Sequence, residues 1–139
     1  MNRLRNVLFG IWCIIILWIT LLNRSPQVAR TYNFQLFWGF KELMNGIEHG
    51  MFATVQYIGN VALFIPYGAL FPWKKKSWVP VIVAFLCSVG IESTQYMLRL
   101  GLCEIDDVVA NTFGALVGVG IYKLLQRYAG ELRGEHRHA

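Results

Sequence analysis

The chain has 139 residues, 55% of them hydrophobic and only 15% charged, where a soluble domain of this length carries about 25% charged residues. The length bounds it to one domain, and the three cysteines give neither a disulfide framework nor a CxxC pair. The net charge of +5 does not read as a nucleic-acid footprint, because the cations flank apolar runs instead of lining a phosphate-tracking surface.

Val7–Leu22 is free of charge and follows Arg3 and Arg5. No small-residue cleavage site follows it, so the reading is a retained span over about 7–23. Asn23, Ser25 and Pro26 end that helix. Tyr32–Lys41 mixes aromatic and polar side chains, the composition of the headgroup layer, and predicts an interfacial segment with a short helix from Phe37 to Met44. The next apolar run gives a span over 51–71 containing Gln56, Asn60 and Pro66. Trp73 and Trp78 then bracket Lys74–Lys76, as expected of a short loop between two spans. The remaining spans are 78–98 and 107–125, separated by a polar loop, and 126–139 reads as a basic, disordered tail.

The expected fold is therefore an all-α membrane protein: a bundle of four transmembrane helices plus the interfacial segment between helices 1 and 2, with residues 1–125 as the membrane domain. Placing both termini in the cytoplasm puts nine of the 13 Lys and Arg inside and four outside. That asymmetry favours a multi-pass cell-membrane protein with both ends cytoplasmic.

The polar residues inside the spans carry the functional argument. A charged carboxylate at mid-membrane costs about 2.5–3.5 kcal/mol on insertion scales, so Glu92 needs a polar neighbour. Ser88, Glu92, Gln95 and Arg99 recur at helical spacing on one face, and Asp107, Asn111, Gly114, Gly118 and Tyr122 do the same. Gln56, Asn60 and Tyr67 share a third face. In the inferred orientation these polar groups lie in the outer half of the bilayer. Asn60, Glu92, Gln95, Asp106, Asp107 and Asn111 are the expected lining of an outward-facing polar pocket, with Arg99 or a neighbouring Asn as the partner of Glu92.

Plainer roles stand beside this one. Gly114 and Gly118 form a GxxxG packing motif, with Gly68 and Pro66 grouped with them as packing positions. Asp106 or Asp107 can cap a helix start, and Asn60, Gln95 and Asn111 can act as interhelical glue. His49 reads as an ordinary interfacial residue, and His136 and His138 form no ligand pair. The acidic loop offers oxygens to a hard cation, but its spacing is not diagnostic, so neither metal nor cofactor is expected.

Three segments together resemble the VanZ-like family of bacterial membrane proteins. They are Asn60-Val-Ala-Leu-Phe-Ile-Pro-Tyr-Gly68, Glu92-Ser-Thr-Gln95, and Glu104-Ile-Asp-Asp-Val-Val-Ala-Asn-Thr-Phe-Gly-Ala-Leu-Val-Gly118. Tyr32-Asn-Phe-Gln-Leu-Phe-Trp38 is similar to a further family segment but lacks its proline. The likeness covers about residues 30–125. It departs where the family carries an arginine, since Leu102 stands there, and Glu104 replaces the first aspartate. The resemblance implies a cell-surface action that reduces binding of glycopeptide antibiotics, teicoplanin above all, at the membrane.

Two readings follow. One is a non-enzymatic protein whose pocket engages a lipidated glycopeptide or a lipid-linked cell-wall precursor at the outer leaflet. The other is a membrane-embedded enzyme acting on a lipid-linked precursor, with Glu92 as base and Asp106 and Asp107 holding a cation. A structural partner of another membrane protein is the third alternative. The absence of a visible nucleophile–base pair favours the first. The expected partners are the lipid bilayer and either the lipidated glycopeptide or the lipid-linked precursor; no nucleic acid is indicated.

Overall fold

The structure is a computed structural model that describes residues 2–46, 48–72 and 76–135. Trp73, Lys74, Lys75, His136 and His138 lie outside the described residues, so the reading of the lysine loop and of the two tail histidines rests on sequence alone.

The chain is mostly helical. Helix α1 spans Asn2–Leu17 and passes into a π-helical turn over Trp18–Leu22. A short helix α2 spans Trp38–Met44, close to the expected position. Helices α3 (Glu48–Leu70), α4 (Val79–Leu98) and α5 (Ile105–Glu135) complete the set.

Among the described residues, three helical stretches are long and apolar enough to cross a membrane: Arg3–Leu22, Val79–Leu98 and Ile105–Glu131. Helix α3, with 23 residues, is about 35 Å long at 1.5 Å per residue, which suffices in length. His49, Gln56, Tyr57, Asn60, Pro66 and Tyr67 dilute its apolar content, and it falls short on composition.

The distribution of side chains fits lipid as the surrounding solvent. Among the described residues the buried set includes Ser88, Glu92, Gln95, Glu104, Asp106, Asp107 and Asn111, alongside Phe64, Tyr67, Ala84 and Ile91. Leu8, Ile14, Trp18, Phe52, Val55, Leu86, Met97, Phe113 and Leu116 are exposed. A water-soluble chain would bury the second group and expose the first.

Two expectations are corrected. The chain is not purely α-helical: Thr31–Asn33 (β1) pairs in parallel with Leu102–Glu104 (β2), with Tyr32 opposite Cys103. The aromatic segment after α1 and the loop before α5 are thus tied together by backbone bonds, instead of lying independently at the interface. Gln27 N donates to Arg99 O at 2.7 Å, and Thr31 Oγ1 to Gly101 O at 3.3 Å, which extends the tie. Second, Gln126–Glu135 is helical, not irregular. Adding residues to an existing helix needs no new nucleus, and no proline interrupts this stretch. Helix α5, with 31 residues, is about 46 Å long and exceeds a hydrocarbon core of about 30 Å.

Helices α3 and α5 form the central pair, and glycine makes it possible. A Cβ at Gly118 would lie 2.0 Å from Ile65 O, one at Gly114 2.3 Å from Val61 O, and one at Gly68 2.1 Å from Ala115 O. The backbones therefore touch where these glycines face each other. Pro66 sits within α3 beside this contact and leaves the Ala62 carbonyl without its helical donor. Helix α4 packs on α5, while α1 and α2 pack on α3. Trp12 Nε1 on α1 donates to Leu63 O on α3 at 2.9 Å.

Candidate functional site

Three helices and one strand converge at the α4–α5 connection. Helix α4 ends at Arg99, whose left-handed backbone (φ 59°) turns the chain into β2. Helix α5 starts immediately after β2, so Glu104, Asp106 and Asp107 are delivered together at its first turn. Negative charge at a helix N-terminus is favoured by its free N–H groups and dipole.

Each carboxylate has its own set of partners. Glu92, 5% exposed, accepts from Glu104 N at 2.9 Å through Oε2 and lies against the Cys103 thiol. Glu104 Oε1 accepts a short hydrogen bond from Trp38 Nε1 of α2. Asp106 Oδ1 accepts from Phe37 N at 2.8 Å, so it caps the start of α2 and not that of its own helix. Phe37 needs that support because its backbone is left-handed, with φ 56°. Asp107, 5% exposed, sits among Glu92, Asn60 and Arg24.

A cation near this group is Arg24, which helical spacing does not single out. Its positive charge acts through space on Asp107, Glu92 and Glu104. Gly101 lets it approach: the φ of +143° suits glycine, and a Cβ there would lie 2.7 Å from Arg24 Nη1. Arg99, expected to partner Glu92, is exposed and donates to Val28 O at 3.4 Å. The left-handed turn at Arg99 takes it off the helical face it would share with Glu92. The signal for Arg24 was available, since it follows the first span directly and lies at the depth of the acidic groups.

Below the carboxylates, Asn111 Nδ2 donates to Ser88 Oγ at 2.8 Å and joins α5 to α4. Asn60 stands beside Asp107, although its Nδ2 closes no hydrogen bond of ordinary length among the described residues. Gln95 belongs elsewhere. Buried at 1% exposure, it donates from Nε2 to Thr20 O at 2.8 Å, in the π-helical turn. That turn shifts the backbone pairing and frees a carbonyl for a partner. Glu92, Asp106, Asp107, Asn60 and Asn111 thus gather near one another, while Gln95 ties α4 to the end of the first span. The first span is also not a plain one, since it supplies Thr20 and leads directly into Arg24.

A cleft of about 400 Å³ opens beside this cluster, with Arg24, Gln27, Trp38, Gln56 and Glu104 in its wall. Burial pushes the Glu104 carboxyl up to about 7 from its ordinary 4.5; Asp107 and Asp106 add to the rise, and Trp38 and Arg24 oppose it. Asp106 and Asp107 spend their oxygens on different partners. Among the described residues no three acidic, histidine or cysteine groups come together as a metal-binding set. His49 is exposed.

A helical membrane bundle with a buried acidic cluster, one guanidinium and a polar cleft is the class this architecture defines. The sequence matches the VanZ/LLP1 family over residues 9–126, and the chain belongs to that family. It is similar to Protein VanZ of Enterococcus faecium, 24% identical over 127 residues that cover 89% of this chain and 76% of that one. No solved structure matches.

Proposed function

We propose that the protein is a four-span cell-membrane protein with both termini in the cytoplasm that lowers the binding of glycopeptide antibiotics at the outer leaflet, acting as a binding protein and not as an enzyme. Helix α3 is the fourth span in this reading. Supporting it, the outward side of α3 carries exposed Met51, Phe52, Val55 and Ile58, an apolar surface suited to lipid. In this orientation the acidic cluster and the Arg24 cleft face the extracellular side.

The observation that carries the reading is a cluster of buried carboxylates, Glu92, Glu104 and Asp107, beside an open polar cleft whose wall holds Glu104 and Arg24. Buried charge in a membrane protein is expensive and is kept where it serves a site. The ligand class is a lipidated glycopeptide, or the lipid-linked cell-wall precursor it targets, either of which presents polar groups at this depth.

The test is expression in a teicoplanin-susceptible bacterium, with membrane levels matched. The unaltered chain should raise the inhibitory concentration several-fold. Glu92→Gln, Asn111→Ala and Arg24→Gln should each lose most of that gain, whereas Arg99→Gln, at an exposed position, should keep it. Full protection from Glu92→Gln and Asn111→Ala at equal levels would sink the proposal.

A further inference from the structure

A second recess, of about 360 Å³, lies between the first helix and α4. Its walls are Cys13–Leu21 on one side and Cys87–Thr94 on the other, and Phe64 and Tyr67 of α3 form the floor. At 1.5 Å per residue those wall segments are about 12 and 10 Å long. That is most of one leaflet's share of a hydrocarbon core about 30 Å thick. The recess stops at the end where Gln95 Nε2 meets Thr20 O, so it lies in the leaflet on the side of the acidic cluster. Its lining is almost wholly apolar, and an apolar space of this kind stays dry. It is continuous with the lipid-facing surface, because Leu17 belongs to its wall and is also 47% exposed. Hydrocarbon is therefore the medium that reaches it.

Tyr67 in the floor is 4% exposed and its hydroxyl is enclosed by protein atoms. The thiols of Cys13 and Cys87 add polarisable sulfur to the same walls.

We propose that this recess seats one hydrocarbon chain of a membrane lipid, entering sideways from the leaflet that faces the acidic cluster. In the orientation proposed above that is the outer leaflet. The inference goes beyond the antibiotic reading and needs only that the first helix and α4 cross the bilayer.

Gly90 supplies a clean variant. It lines the recess, and a Cβ added there meets nothing within 4 Å, so a side chain can start from that position into the recess. Gly59 has equally free space and lies outside the recess. The full chain in lipid nanodiscs would be irradiated with a phosphatidylcholine carrying a diazirine on its acyl chain, and the labelled residues mapped by mass spectrometry. Label should concentrate on Cys13–Leu21 and Cys87–Thr94. It should fall at least several-fold in Gly90→Phe and stay unchanged in Gly59→Phe. Stearoyl lysophosphatidylcholine should displace the probe, whereas glycerophosphocholine, which carries no chain, should not. Labelling spread evenly over the lipid-facing surface, an unaffected Gly90→Phe, or equal displacement by both competitors would each overturn the proposal. Loss of antibiotic protection in the polar-site variants, or its retention, leaves this readout unmoved.

Discussion

Single side chains show how this chain keeps four acids in an apolar setting. Glu92 takes a backbone N–H, Glu104 an indole N–H and Asp106 the N–H of Phe37, while Arg24 supplies positive charge to the group. Buried charges persist only when compensated and hydrogen-bonded, and here the compensating groups come from three separate stretches of chain. Glu104 lies just outside the apolar part of α5, and its titration is a direct probe of that balance. Its carboxyl is pushed up to about 7 in the folded protein, so the folded state holds a proton that the unfolded chain releases near 4.5. The resulting stabilisation is full below about pH 4.5 and is lost as pH rises through about 7. Thermal unfolding in detergent should therefore show a midpoint that falls between about pH 5 and pH 8, with the fall visibly smaller in Glu104→Gln. Identical slopes for the two proteins would contradict this account.

Among the elements, the α3–α5 contact is the one that glycine makes possible. The GxxxG spacing at Gly114 and Gly118 was legible because it is a local pattern on one helix face. Gly68 was grouped with them, but the facing residues Val61 and Ile65 were not legible, since nothing local says which helix will lie opposite. Gly118→Leu should lower stability by about 1–3 kcal/mol, because backbone atoms of Ile65 and Ala69 cannot move aside as a side chain can. Gly120→Leu is the matched control: a Cβ there meets nothing within 4 Å. Unfolding midpoints of the two variants in the same detergent provide the comparison, and equal stability would remove the close-packing account. The short helix α2 was also legible, from its aromatic and polar composition. The β1–β2 pair was not, because two three-residue strands about 70 positions apart leave no periodic signal. The helical stretch after Leu125 was hidden for the opposite reason: polar composition marks the end of a span but says little about the end of a helix.

At the scale of the whole molecule the proposed topology makes a prediction of its own. In a background with Cys13, Cys87 and Cys103 replaced, cysteines placed at Ser25 and Asn45 should react with an impermeant thiol reagent on intact cells. Cysteines at Lys76 and Arg127 should react only after permeabilisation. The reverse pattern would invert the bundle and move the acidic cluster to the cytoplasmic side. The charge asymmetry of the loops argues for the first outcome.

What the amino-acid order determined alone is the part that depends on neighbours along the chain. Apolar runs, flanking cations and helical spacing placed the helices in lipid, and they put Glu92, Asp107 and Asn111 on inward faces. The tertiary structure decided the pairings. It turned Arg99 outward, brought Arg24 into the neighbourhood of the acidic groups, sent Gln95 to Thr20 and set Asp106 on Phe37. The physical reason is that periodicity reports which face of a helix is polar, whereas a hydrogen bond or ion pair needs two faces brought within about 3–4 Å. That approach is set by backbone turns at Phe37, Arg99 and Gly101 and by glycine contacts between helices, all of which act across the fold and not along it.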